Sequence, residues 1–130
     1  MAHIMVVDDE KDVVTLLKFV LEKDGHKVTE AYNGAEALQK LGVEPELAEA
    51  SIPDLILLDV MMPVLDGYSV SSRLASNLRT RSIPLVVLTA KGGMRDLFQL
   101  SPNVATYIEK PFDPHKLREL IGGMLRPSRQ

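Results

Sequence analysis

The sequence predicts an α/β fold, a parallel sheet covered by helices on both faces, and three observations carry that reading. Four short apolar runs, Ile4–Val7, Leu55–Leu58, Leu85–Leu88 and Val104–Ile108, have the length and composition of strands buried on both faces. Stretches with helical spacing separate the runs, the alternation expected of a parallel sheet. Each run also ends on polar residues of a different kind: Asp8-Asp9, Asp59, Thr89 and Glu109-Lys110-Pro111. Five βα units in a doubly wound sheet account for the whole pattern.

The elements follow in order. After Asp9 the first helix carries Val13, Leu17, Val20 and Leu21 on one stripe and stops at Gly25. Lys27–Tyr32 is a second strand, less apolar than the others and so placed nearer an edge. Asn33 is an N-cap with Glu36 three residues on, as in a capping box, and its helix runs through Ala37, Leu38 and Leu41. The Gly42–Pro53 connection is long and acidic, with room for an extra helical turn. Asp66 caps a third helix containing Val70, Leu74 and Leu78, and Ser82-Ile83-Pro84 leads into the fourth strand. Ala90-Lys91-Gly92-Gly93 precedes a short helix over Met94–Leu100 that Pro102 ends. In the last helix Asp113 is the N-cap, Pro114 sits at the first helical position, and Phe112 staples onto Leu117. Its stripe is Leu117, Leu120, Ile121, Met124 and Leu125.

Bulk properties exclude several classes of function. The 130 residues fit one domain, 45% hydrophobic and 25% charged, long enough to bury a core without disulfides or a structural metal. The absence of cysteine removes disulfide frameworks, thiolate metal sites and cysteine nucleophiles. A net charge of −3 and a pI near 5.6 argue against a nucleic-acid-binding surface on this domain. No apolar stretch approaches the ~18 residues of a membrane span, and Ile4–Val7 before two aspartates is no signal peptide. The expectation is a cytoplasmic domain with no membrane partner. The first strand begins almost at Met1, so no preceding segment is expected.

If the strands are parallel neighbours, their carboxyl ends bring three carboxylates, a hydroxyl and an ammonium to one edge of the sheet, where such folds place ligands. Taken alone, Asp9 and Glu10 serve a helix N-terminus equally well. Asp59 tips the balance, because a third carboxylate ending a neighbouring strand demands a cation. Hard oxygen donors without cysteine suit Mg²⁺ or Mn²⁺. Asp59 is the candidate nucleophile toward a phosphoryl donor, giving an acyl phosphate. In this reading Asp8 and Asp9 hold the metal and Lys110 supplies the opposing charge. The Thr89 hydroxyl and the backbone N–H groups of Met61 and Ala90 bond phosphoryl oxygens. Pro111 either stops the strand or, if its bond to Lys110 is cis, aims the ammonium inward. Tyr107 is either packing or switch.

With those residues in view, the chain resembles a response-regulator receiver domain of two-component signalling over essentially its whole length. The matching residues are Asp8-Asp9, Asp59-Val60-Met61-Met62-Pro63 followed by Asp66-Gly67, Thr89-Ala90-Lys91, and Tyr107 with Lys110-Pro111-Phe112. The resemblance implies a flavodoxin-like fold with strand order 2-1-3-4-5, a receiver domain over 1–126, and a tail or linker start over 127–130. It implies phosphotransfer from a histidine kinase or phosphotransfer protein onto Asp59. Mg²⁺ would be bound by Asp9, Asp59, the Met61 backbone carbonyl and, through water, Asp8. It further implies a cis Lys110–Pro111 bond and a switch pair of Thr89 and Tyr107. Output would pass to a downstream target protein or a C-terminal effector domain, with a phosphorylation-dependent homodimer as one form. The other expectation is the N-terminal receiver of a longer DNA-binding or enzymatic regulator.

Three departures from the family pattern stand out: the long Gly42–Pro53 connection, Gly92-Gly93 ahead of the fourth helix, and Ser101-Pro102-Asn103-Val104 in place of a Gly-Ala-Asp-like turn. Two other functions on related chemistry are weighed against this reading. A dehalogenase-type phosphohydrolase needs a second carboxylate two residues after its nucleophile, where this chain has Met61. A flavin module needs a phosphate loop after the first strand, where Asp8-Asp9-Glu10 would repel the phosphate.

Overall fold

The structure, a computed structural model, describes residues 2–60, 62, 65–90 and 102–125. Its elements are β1 (His3–Val7), α1 (Lys11–Lys23), β2 (Lys27–Ala31), α2 (Gly34–Lys40), β3 (Leu55–Asp59), α3 (Gly67–Ala75), β4 (Leu85–Thr89), β5 (Val104–Glu109) and α4 (Pro114–Leu125). All five strands are parallel in one sheet, in the order β2-β1-β3-β4-β5. The apolar runs predict a doubly wound parallel sheet, its order is the one the receiver-domain resemblance implies, and the less apolar β2 lies at an edge as its composition suggests.

Strand residues alternate between two cores, as the two-residue pleat dictates. Ile4, Val6, Leu55, Leu57, Val86 and Leu88 pack with α1 and α4 on one face. Met5, Val7, Ile56, Leu58 and Leu85 pack with α2 and α3 on the other. Strands β1, β3 and β4 are almost wholly buried, which explains their unbroken hydrophobicity. Each fully buried Leu, Ile or Val contributes about 1.5–3 kcal/mol, so the central strands anchor the molecule. The order reverses between β1 and β3: the chain leaves β1 toward β2 on one side and returns to β3 on the other. The crevice at that reversal opens at the carboxyl ends of both strands.

Local chemistry sets the helix ends. α1 closes at Asp24, and Gly25 takes a φ of +88°, a conformation that favours glycine. The Asn33 side chain accepts the Glu36 N–H at 2.8 Å, and the Glu36 carboxylate accepts the Tyr32 N–H at 2.7 Å. The capping pair therefore reaches one residue further back than a standard box. Asp66 caps α3 by accepting the Ser69 N–H, and Asp113 accepts the His115 N–H at the start of α4. Phe112 packs against the same core cluster as Leu117, the arrangement a staple requires.

Several expectations need correction. In α1 it is Val14 that is buried, while Val13 lies half-buried at the stripe's border. α3 ends at Ala75, so Leu78 lies beyond the helix and is 79% exposed. The Thr80 hydroxyl donates to the Leu74 carbonyl and the Asn77 side chain accepts the Arg79 N–H, replacing a further helical turn with side-chain bonds. The Gly42–Pro53 connection forms turns rather than an extra helical turn. Gly42 sits at φ +73°, Val43 bridges to Glu46, the Glu44–Pro45 bond is cis, and Arg79 donates to the carbonyls of Leu41 and Ala50. The helix expected over Met94–Leu100, and the tail over 127–130, lie outside the described residues. No described helix is long and apolar enough to cross a membrane.

Candidate functional site

Four strand ends build the site. Asp8 follows β1; its N–H donates to the Ala31 carbonyl at 3.1 Å, and its Oδ1 accepts the Glu10 N–H at 2.9 Å. It is fully buried, whereas its neighbour Asp9 is exposed. Asp59 is the last residue of β3 and is 3% exposed. Carboxylate oxygens from Asp8, Asp9 and Asp59 all lie within 4.8 Å of one another. Parallel pairing of β1 with β3 produces this convergence, since Val7 registers with Leu58 and each chain then continues by one residue.

Lys110 follows β5, and its backbone N–H donates to the Thr89 carbonyl at 2.7 Å. The Lys110–Pro111 bond is cis. Lys110 Nζ lies 2.8 Å from Asp8 Oδ2, 3.2 Å from Glu10 Oε1 and 3.5 Å from Asp59 Oδ2. Its approach to Asp8 Oδ2 is an ion pair without hydrogen-bond alignment, whereas it does donate to Glu10. Burial alone would lower the ammonium's pKa, but Asp8, Asp59 and Glu10 outweigh it and hold the pKa above the ordinary lysine value. The lysine is therefore a fixed cation at neutral pH. It is also too little charge for its surroundings, because carboxylates outnumber it and Asp8 has no access to water. The donor set, hard carboxylate oxygens with no imidazole or thiolate, fits Mg²⁺.

Thr89, at the end of β4, is 2% exposed and its hydroxyl donates to the Ala90 carbonyl at 3.2 Å. Tyr107 lies within β5, two residues before its end at Glu109. Its cross-strand neighbour is Val87, two residues before Thr89, and it packs half-buried against Val60 and Val87. Met61, expected to offer both a carbonyl and an N–H, and Lys91 lie outside the described residues.

Two residues of the site carried no chemical role in the sequence reading. Glu10, a helix-terminus charge by sequence, is a direct partner of Lys110. Gly67 is, by sequence, only part of the Asp66-Gly67 motif. A Cβ there would stand 2.5 Å from the Asp59 carbonyl oxygen and 2.6 Å from Val60 Cα, so α3 starts against the backbone that presents Asp59. The signal for both was adjacency: Glu10 follows the aspartate pair directly, and Gly67 follows the capping Asp66.

A family model described as the response regulator receiver domain matches residues 4–122. Among similar proteins, the alkaline phosphatase synthesis transcriptional regulatory protein PhoP of Bacillus subtilis is 40% identical over 126 residues, covering 96% of this chain and 49% of that protein. The DNA-binding dual master transcriptional regulator RpaA of Synechocystis is 35% identical over 127 residues, covering 97% and 50%. The chain thus spans about half the length of the curated relatives it matches. Among solved structures, response regulator TrrA from Thermotoga maritima in complex with Mg²⁺-BeF superposes with a TM-score of 0.80 at 30% identity, covering 96% of this chain and 100% of that one. The receiver domain of a sensor histidine kinase from Pseudomonas aeruginosa, with magnesium coordinated in its active-site cleft, gives a TM-score of 0.79 at 28% identity, covering 94% and 95%. The sheet order, the carboxylate cluster at its reversal point and these matches converge: the chain belongs to the response regulator receiver domain family.

Proposed function

We propose that this regulatory domain is a phosphorylation-operated switch whose phosphoacceptor is Asp59. The observation that carries the reading is a buried strand-terminal carboxylate with Lys110 Nζ at 3.5 Å and carboxylate oxygens of Asp8 and Asp9 within 4.8 Å. A carboxylate oxygen of Asp59 attacks the phosphorus of a phosphohistidine on the donor kinase or phosphotransfer protein. A P–O bond forms, the P–N bond breaks, and the released imidazole takes up a proton. Asp8, Asp9, Asp59 and the Met61 carbonyl would hold Mg²⁺, which when bound neutralises charge on the phosphoryl oxygens. Lys110 faces the same oxygens, and the Thr89 hydroxyl turns from the Ala90 carbonyl toward them. Tyr107, released to follow Thr89, moves inward and changes the surface around β5 and α4.

Loss of the phosphoryl group needs a water aligned behind phosphorus. By sequence its approach is flanked by Met61, which is apolar, and Lys91, which when protonated has no acceptor. The acyl phosphate should therefore persist for minutes or longer unless a phosphatase acts. The two relatives named as transcriptional regulators are about twice as long as this chain, which favours a receiver that controls a C-terminal DNA-binding domain. Phosphoramidate, a small P–N donor, tests the chemistry. With Mg²⁺ it should attach a hydroxylamine-labile phosphoryl group that Asp59→Asn lacks; a hydroxylamine-stable adduct would contradict an acyl phosphate.

A further inference from the structure

Glu10 occupies the N-cap position of α1, where short polar side chains that fold back onto the first turn are favoured. Its side chain makes no capping bond. Instead it runs the other way and accepts a hydrogen bond from Lys110 Nζ at 3.2 Å. A position that gives up a local stabilising bond for a contact 100 residues away in sequence breaks the local rule, and such breaks concentrate at functional sites.

The geometry around Lys110 shows what the contact does. The ammonium is closer to Asp8 and Glu10 than to Asp59, the group it must serve once a phosphoryl group is attached there. Asp8 is buried and fixed, but the Glu10 side chain is 61% exposed and can swing away. Both Glu10 and Lys110 line an open cavity of about 390 Å³, walled by Val13, Leu16, Pro111 and Phe112.

We propose that Glu10 is a positioning residue that holds Lys110 at the mouth of the site while Asp59 is unmodified, and yields it to the phosphoryl oxygens. Glu10 thereby competes with the phosphoryl group for the lysine and opposes capture of that group. It has the reverse effect on the metal: its negative charge, added beside the carboxylate cluster, favours the cation. The inference rests on Asp59 as the phosphoacceptor.

Calorimetric titration of Glu10→Gln and Glu10→Asp, first with Mg²⁺ alone and then with beryllofluoride at saturating Mg²⁺, tests it. Glu10→Gln should bind Mg²⁺ about two- to five-fold more weakly and beryllofluoride about two- to five-fold more tightly, the range set by a partly exposed ion pair. Glu10→Asp keeps the charge but is too short to reach Nζ. It should retain wild-type Mg²⁺ affinity while matching Glu10→Gln toward beryllofluoride. A purely structural role would not move the two affinities in opposite directions. Unchanged beryllofluoride affinity in Glu10→Gln, or wild-type beryllofluoride affinity in Glu10→Asp, overturns the proposal. Phosphoryl uptake by Asp59→Asn would instead overturn the site reading and this inference with it, so the two failures are separable.

Discussion

Lys110 and Asp8 form the contact on which the site's electrostatics turn, since one is a cation at 20% side-chain exposure and the other a carboxylate sealed from water. Replacing Lys110 by Met would strand the Asp8 charge. Metal-free stability should then fall by about 3 kcal/mol, the low end for breaking a buried pair, and Mg²⁺ should restore most of it. The pH dependence follows from the raised lysine pKa. A cation stabilised by folding contributes fully below its ordinary value near 10.5 and is lost as pH rises through the higher folded value. The melting difference between wild type and Lys110→Met should thus stay flat from neutral pH to about 10 and shrink only above that. Asp9→Asn should act oppositely without metal. It removes an exposed carboxylate from a repulsive cluster, raising the metal-free melting temperature by about 1–3 °C while weakening Mg²⁺ binding. A melting temperature that falls would contradict the repulsion. The convergence of Asp8, Asp9, Asp59 and Lys110 was legible because each ends an apolar run. The Glu10 contact was not, because a side chain's direction at a helix start depends on the partner that a distant strand supplies.

Element ends show the same division between local and tertiary information. Caps were readable where one side chain decides them: Asn33, Asp66 and Asp113 all cap as their spacing predicts. Asn33→Ala should cost about 1 kcal/mol in chemical denaturation. Where several distant groups decide, local sequence carries no signal. The Gly42–Pro53 connection follows Arg79, whose guanidinium bonds carbonyls at both ends of a turn, and no local pattern announces that role. Leu78 fits a helical stripe but lies past the point where Thr80 and Asn77 divert the chain. Gly67 ties α3 to the site. A methyl group there meets backbone that cannot swing aside, so Gly67→Ala should destabilise by about 1–3 kcal/mol and displace Asp59. Its phosphorylation rate should fall even at temperatures where the variant is fully folded; a wild-type rate would show that Asp59 is held independently of α3.

Across the whole molecule, one sheet joins the carboxylate cluster to the outer strand β5. Parallel pairing of β4 with β5 sets Thr89 beside Glu109 and Val87 beside Tyr107, so a shift at Thr89 has a short path to the outer strand. The α4 side of the path is braced by Arg118, which holds both carboxylate oxygens of Asp24 at 3.0 and 2.6 Å. That hydrogen bonding keeps the Asp24 carboxyl below its ordinary pKa. Its contribution is therefore complete above the unfolded carboxylate value and lost as pH falls through the lower folded one. Arg118→Ala should melt slightly earlier at pH 7 and converge with wild type in acid. Phosphorylation at this sheet edge is tested most directly by one measurement. Acetyl phosphate is added with Mg²⁺ to wild type, to Asp59→Asn, and to wild type in excess EDTA, and each is read by intact mass. The account predicts one phosphoryl group on the wild type with Mg²⁺ and none in the other two samples. Full incorporation in Asp59→Asn, or equal incorporation in EDTA, would contradict it.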